Sequence, residues 1–164
     1  MQSEASEDQQ LKIKVDVETQ QLHLLEFGQT TRSYTISTSG FGLGPWENSN
    51  KTPLGRFEIA ECLGGGMADR TIFRSRKPVG DWDPEKSASD PNLADADLVL
   101  GRILWLSGSE SHNANTKDRY IYIHGTNHED QLGQPVSHGC VRMSCADVVE
   151  LFDRVTVGTP VEIG

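Results

Sequence analysis

The stretch YIYIHGTNHEDQLGQPVSHGCVRMSCADVVELF, residues 120–152, carries the strongest indications of fold and chemistry in the chain. Its first residues, 120–123, are aromatic and β-branched and predict a strand that ends at His124. Ser144, with Asp147 three residues later and apolar residues following at helical spacing, predicts a capping box and a helix. We therefore expect a strand, a turn and a helix in succession.

Cys140 and His124 form the candidate catalytic couple within this stretch. A thiol becomes a strong nucleophile when a base takes its proton, and imidazole is a common base for this purpose. Gly139 allows a sharp turn, so the N–H groups of Cys140 and its neighbours are expected to form an oxyanion hole. Cys140 also precedes the predicted helix, whose positive end would stabilise a thiolate.

Three sequence motifs together resemble the L,D-transpeptidase (YkuD-type) catalytic domain family. They are IHGT at residues 123–126, SHGCVRM at 137–143 and TPLGRF at 52–57. With the closing GTPV at 158–161, the resemblance spans residues 11–164. It implies a mainly β domain of the family's type.

The resemblance implies a cysteine acyltransferase that acts in peptidoglycan biosynthesis, and so in cell wall biogenesis and cell shape. The cysteine would form a thioester with a tetrapeptide stem and transfer it to an amine of another stem. L,D-carboxypeptidase or endopeptidase activity, with water as acceptor, needs the same couple and stays open. Stem peptides are the implied partners, carbapenem-type inhibitors are expected to acylate the thiol, and no cofactor or metal is implied.

Carried over by position, Cys140 is the nucleophile, His124 the general base and Gly125 the residue whose carbonyl orients the imidazole. The resemblance assigns oxyanion stabilisation, pocket shape and substrate binding to four further residues: Gly139, His138, Ser137 and Arg142. For Arg142, contact with a substrate carboxylate and a structural ion pair are both open, since guanidinium suits either.

A metal-binding module is the alternative from another functional class. His124, His138, Cys140 and Cys145 would be its zinc ligands. The spacing argues against it, because His138 and Cys140 are only two residues apart and neither CxxC nor HExxH is present.

The rest of the chain predicts a mainly β domain, either a sandwich or a partly open barrel, with one helix after the cysteine. Alternating or β-rich segments predict strands at residues 11–17, 21–24, 33–37, 55–61, 70–74 and 98–106. Residues 1–10 are predicted to be a disordered N-terminal segment and residues 11–164 the catalytic domain.

A long acidic stretch, residues 78–97, is predicted to be irregular. It is either a solvated loop or a lid over the cysteine, with Trp82 as its anchor. In the second case its carboxylates would attract the cationic amines of diamino-acid stems.

Charge and hydropathy exclude some partners. Fifteen basic against twenty-four acidic residues give a net charge of −9, which argues against nucleic-acid binding. No apolar run approaches the roughly 20 residues of a membrane span, so an integral membrane protein is not expected.

The start of the sequence leaves two locations open. Residues 1–10 are polar and lack the apolar core of a secretory signal. Either the protein is cytoplasmic, or a natural leader has been removed. The implied substrate favours the second, with a periplasmic or cell-envelope location.

Three cysteines leave the question of a disulfide open. If Cys140 is a free thiol, only Cys62 and Cys145 are left to pair. We expect Cys145 to pack as a small apolar residue.

Overall fold

The fold was analysed in a computed structural model, which describes residues 10–87, 89–90 and 96–164. These residues form ten strands and one α-helix. The strands are β1 (Leu11–Asp16), β2 (Gln21–Glu26), β3 (Gln29–Thr35), β4 (Gly55–Leu63), β5 (Thr71–Arg74), β6 (Lys77–Asp81), β7 (Val99–Gly108), β8 (Tyr122–Gly125), β9 (Val141–Met143) and β10 (Pro160–Ile163), and the helix is α1 (Cys145–Phe152).

The strands form an open mixed sheet in the order β3-β2-β1-β10-β4-β7-β5-β6, with β8 on β7 and β9 on β8. Two pairings are parallel, β1 with β10 and β8 with β9. The last strand of the sequence therefore lies inside the sheet, between β1 and β4. The predicted mainly β fold with one helix after the cysteine is confirmed.

The core lies where strand alternation and the apolar face of α1 meet. Ile13 and Val15 on β1 are fully buried, as are Val148 and Leu151 on α1, and all four belong to one cluster. Ser144 is the N-cap of α1, because its Oγ accepts a hydrogen bond of 3.0 Å from Asp147 N. This is the first half of the predicted capping box.

The strand predictions need four corrections. Strand β8 begins at Tyr122, two residues after the predicted start, because Tyr120 ends a 3₁₀ turn at φ +58°. Strand β3 begins at Gln29, four residues before the predicted start. Strand β6, Lys77–Asp81, occupies the start of the acidic stretch that was predicted to be irregular. It carries no alternation because every residue of this edge strand is exposed, and an edge tolerates Pro78. Strand β9 is only three residues long, too short for a periodic signal.

Some predictions fall on residues outside the described part. The predicted disordered segment lies there except for Gln10, whose carbonyl accepts a hydrogen bond from Phe27 N. Residues 88 and 91–95 of the acidic stretch lie there too. Within the described residues, no helix has the length and apolar character needed to cross a membrane.

An irregularity in β7 shapes the strand that carries the candidate base. The pairing of β7 with β8 shifts between Leu100, which faces Gly125, and Ile103, which faces His124. Gly101 lies within this bulge at φ +82°, a conformation that favours glycine. The bulge brings Leu100 O so close to Gly125 that a Cβ there would lie only 2.6 Å from it.

Candidate active site

The parallel pairing of β8 and β9 places the candidate nucleophile. Ile123 pairs with Val141 and His124 with Arg142. Cys140, the residue before β9, consequently lies beside Tyr122, whose backbone N–H donates a hydrogen bond of 3.2 Å to the Cys140 Sγ. Because side chains alternate along a strand, Tyr122 and His124 point to the same face of β8.

The Cys140 side chain is half-buried, and its thiol is held by backbone groups beside a small apolar cluster. Its S–H donates to the Tyr120 carbonyl at 3.4 Å, and the side chain packs against the cluster formed by Phe73, Ile103 and Tyr122. Loss of solvent raises the pKa of the thiol to about 12, and the charge of Asp97 adds to the increase. The thiol is therefore protonated at neutral pH until a base takes its proton.

Several groups around the sulfur favour its anionic form. Tyr122 N–H lowers the pKa of Cys140 by hydrogen bonding, and the guanidinium groups of Arg142 and Arg119 lower it by their charge. These groups reduce the cost of forming a thiolate in this environment.

His124 is almost fully buried, with 2% of its surface exposed. Its Nδ1 lies 2.6 Å from Gly125 O. A carbonyl can only accept, so Nδ1 carries the hydrogen and Nε2 keeps a free lone pair. Burial lowers the pKa of the imidazole, while Gly125 O and the charge of Asp97 oppose this. His124 is thus a neutral base with its acceptor nitrogen fixed.

Cys140 and His124 are brought to neighbouring positions without a direct hydrogen bond among the described contacts. They share Tyr122, whose ring meets the His124 ring edge-on at 6.5 Å between centroids. The thiol must turn from Tyr120 O towards the imidazole before a proton can pass. Hydrogen bonds between catalytic groups are often long or poorly aligned before substrate binds, and they shorten in the complex.

The predicted support of the thiolate by the helix is wrong. Helix α1 begins at Cys145, so the whole of β9 separates it from Cys140. Its first amide, Cys145 N, donates to Glu129 Oε2 at 2.9 Å. The positive end of the helix is therefore neutralised by a carboxylate of this chain.

The turn of residues 137–140 is fixed by hydroxyl groups. Ser137 Oγ accepts from Gly139 N at 3.2 Å and donates to Cys140 O at 2.6 Å. Thr52 Oγ1 donates to Gly139 O at 2.9 Å. Gly139 itself has φ +124°, which favours glycine.

These contacts separate the two predicted oxyanion donors. Gly139 N–H is engaged by Ser137, whereas Cys140 N–H has no partner among the residues that the structure describes. Cys140 N–H is thus the amide of this turn that is available to an oxyanion. Thr52 was missed as a residue of the site, although the TPLGRF motif contains it.

Arg142 and His138 converge on a residue that the sequence did not single out, Asp97. Arg142 Nη2 lies 2.9 Å from Asp97 Oδ1, and the arginine side chain is only 4% exposed. His138 lies at the surface, and its Nδ1 donates to Asp97 Oδ2 at 3.0 Å. Of the two readings of Arg142, these contacts favour the structural ion pair.

The described residues contain no group of three or more His, Cys, Asp or Glu side chains placed to hold a metal ion together. Cys62, Cys140 and Cys145 are all free thiols. Cys145 is buried and packs with Ile72, Leu98 and Leu100, as a small apolar residue would.

Comparison with known proteins gives consistent matches. Residues 10–163 match the family model described as "YkuD: L,D-transpeptidase catalytic domain". The chain is 50% identical over 52 residues to "Putative L,D-transpeptidase YqjB" of Bacillus subtilis strain 168, an alignment covering 31% of this chain and 30% of that protein.

Solved structures show the same fold. An L,D-transpeptidase from Xylanimonas cellulosilytica aligns with a TM-score of 0.60 at 20% identity, over 94% of this chain and 60% of that one. The transpeptidase LdtMt1 in complex with imipenem aligns with a TM-score of 0.56 at 20% identity, over 94% and 58%. The chain spans less than two thirds of these proteins.

Proposed function

Because this chain belongs to the family of YkuD-type L,D-transpeptidase catalytic domains, we propose that it forms a thioester between Cys140 and a peptidoglycan tetrapeptide stem and transfers the acyl group to an amine. The observation that carries this proposal is the alignment of β8 with β9. It puts the Cys140 thiol beside the face of β8 that holds the neutral His124 imidazole, whose Nε2 lone pair can accept a proton. The proposed site of action is the cell envelope, where this substrate lies.

In the first half of the proposed reaction, Cys140 Sγ attacks the carbonyl carbon between the third and fourth stem residues. The thiol proton moves to His124 Nε2 as the sulfur–carbon bond forms. Charge on the carbonyl oxygen is stabilised by Cys140 N–H. The carbon–nitrogen bond then breaks, and the leaving D-amino acid takes the proton from Nε2.

In the second half, a side-chain amine of another stem attacks the thioester. The amine gives a proton to His124 Nε2, the carbon–sulfur bond breaks, and the sulfur takes the proton back. His124 acts as base and acid in turn, which its fixed tautomer permits. Water in place of the amine would give L,D-carboxypeptidase activity instead.

Mass spectrometry of products after incubation with disaccharide-tetrapeptides tests the proposal. We expect cross-linked dimers with release of the fourth residue, and none from Cys140→Ser, in which the hydroxyl is a much weaker nucleophile. Tripeptide monomers alone would replace the transpeptidase with a carboxypeptidase. Full activity in Cys140→Ala would end the covalent mechanism.

A carbapenem should acylate Cys140 and leave a stable thioester. Opening of the strained ring requires a thiolate and an oxyanion donor, whereas release requires an acceptor that the bound drug blocks. Intact-mass measurement with imipenem should show one adduct per chain, and peptide mapping should place it on Cys140. An adduct on Cys62 or Cys145 instead would mean that the reactive thiol is misassigned.

A further inference from the structure

Asp97 lies just before β7, far in sequence from the turn of residues 137–140, yet its carboxylate contacts one residue of that turn and one of the following strand β9. One oxygen accepts from Arg142 and the other from His138, at 2.9 and 3.0 Å. Both contacts are charge-assisted because the Asp97 carboxylate is ionised, and such contacts are stronger than neutral ones. The two partners flank Cys140 in sequence on either side.

Arg142 depends on this carboxylate. The guanidinium is buried, and among the described residues Asp97 is the carboxylate that pairs with it. A buried charge without its partner is strongly destabilising. Loss of Asp97 would therefore move the side chain of the residue that faces His124 in the β8–β9 pairing.

The same carboxylate is close enough to act on both members of the candidate couple. Besides burial, the pKa of Cys140 is raised by the charge of Asp97 and lowered by Arg142, Arg119 and the Tyr122 N–H, and the pKa of His124 is raised by Gly125 O and the charge of Asp97 and lowered by Arg142. Asp97 is the only negative charge among these groups. It thus opposes the effect of Arg142 on the imidazole.

We propose that Asp97 is the positioning residue of the candidate active site. Its carboxylate ties the end of the acidic stretch to the turn of residues 137–140, holds Arg142 against β8, and stabilises the imidazolium that forms when the Cys140 proton moves to His124 Nε2. The proposal rests on the function proposed above. It reassigns Asp97 from attraction of substrate amines to organisation of the site.

Alkylation of Cys140 by iodoacetamide, followed by peptide mapping as a function of pH, tests the electrostatic part without any peptidoglycan. In the proposed reaction the thiol passes its proton to the imidazole, so the alkylation profile reports on both groups. Removing a negative charge that faces both groups favours loss of the first proton, whichever group loses it. Asp97→Asn should therefore move the acid limb of the alkylation profile to lower pH.

Glu85→Gln is the matched control, because it removes one negative charge from an exposed side chain of the same acidic stretch. It should leave the acid limb where the unaltered protein has it. An unmoved limb in Asp97→Asn, or an equal shift in Glu85→Gln, would overturn the proposal. A purely structural role for Asp97 would lower the amplitude of alkylation but not move the limb.

Asp97→Glu tests positioning, since it keeps the charge but displaces the carboxylate by one methylene. Its acid limb should stay in place, while its turnover of tetrapeptide falls by about 10- to 100-fold, as is typical of small misplacements of catalytic groups. Full turnover would contradict the positioning role, even if Asp97→Asn fails to fold. Absence of cross-linking in the unaltered protein, with the pH shift present, would overturn only the function proposed above.

Discussion

Gly125 combines two requirements at one residue. Its carbonyl fixes the tautomer of His124, and its α-carbon faces Leu100 O at a distance that leaves no space for a side chain. The β-bulge at Gly101 holds Leu100 O in this position, so a larger residue at position 125 would be strained. The backbone of β7, and not only the motif, determines which residue can follow the candidate base.

Gly125→Ser should destabilise the protein by about 1–3 kcal/mol, the usual cost of overpacking a buried position. The added Cβ would press on backbone, which cannot rotate away. Thermal or urea unfolding measures the loss. Gly65→Ala is the control, because its Cβ would meet only the Phe152 ring, at 3.2 Å. Equal stability of Gly125→Ser and the unaltered protein would show that the backbone of β7 shifts at the bulge and makes room for the side chain.

His124 should contribute more to thiol activation than His138. His124 is buried with its Nε2 free, whereas His138 lies at the surface with its Nδ1 on Asp97. His124→Ala should abolish alkylation of Cys140 near neutral pH, and His138→Ala should retain most of it. Iodoacetamide labelling at several pH values makes the comparison. If only His138→Ala suppresses labelling, the two roles are exchanged.

Local contacts of the site could be read from the sequence, and distant ones could not. A histidine near the end of a strand and a cysteine that follows a glycine are visible in the sequence. The pairing of Asp97 with His138 joins residues 41 apart, and the bond from Thr52 to Gly139 joins residues 87 apart. No periodicity encodes such contacts, because they depend on how β4, β7, β8 and β9 are arranged in the sheet.

At the scale of elements, the acidic stretch divides into parts with different roles. Its start is strand β6, its end is Asp97, and Asp83 between them holds a turn by accepting from Glu85 N at 2.9 Å. The hydrogen bonds to backbone lower the pKa of Asp83, so its carboxylate stays charged well into the acid range. The predicted role of this stretch in attracting substrate amines is therefore tested on Asp81, Asp83 and Glu85.

Replacing Asp81, Asp83 and Glu85 with amides should weaken use of amine-bearing stems without changing the chemical step. Exposed charges act at a distance and are screened, so the loss should appear as a raised KM at low salt and shrink as salt increases. The matched control replaces Asp16, Glu18 and Glu26 with amides on the β1–β2 hairpin, where Asp16 likewise holds a turn. Equal kinetics in the two triple variants at low salt would leave the stretch as a solvated surface.

Strands with alternation were predictable, and those without it were not. β1 and β2 bury every second residue, a pattern that is visible in sequence. β6 is exposed throughout and β9 is buried throughout, so neither carries a period. For β9 the consequence is large, because its pairing with β8 is what brings Cys140 to Tyr122.

At the scale of the whole molecule, β10 joins two parts of the sheet. It pairs with β1 on one side and with β4 on the other, and its Val161 and Ile163 are each 1% exposed. The hairpins of β1 to β3 reach the rest of the sheet through this strand.

Ile163→Ala should cost about 2–5 kcal/mol of unfolding free energy, as expected for a large-to-small change in a core. Val157→Ala, five residues beyond α1, is the control, because Val157 is 61% exposed and its loss should change stability by no more than about 0.5 kcal/mol. Urea unfolding of both variants provides the comparison. Similar values would mean that β10 adds little to the sheet.

The position of β10 also determines when the sheet can form. Ile13 pairs with Val161, a contact between opposite ends of the described chain. Contacts of such high sequence separation slow folding, because loop closure comes before any gain from pairing. Before β10 pairs with them, the facing edges of β1 and β4 would be unpaired. Such edges can pair with other chains and promote aggregation. Once formed, the contacts of β10 would also slow unfolding. The strand that makes folding slow would therefore give the protein kinetic stability.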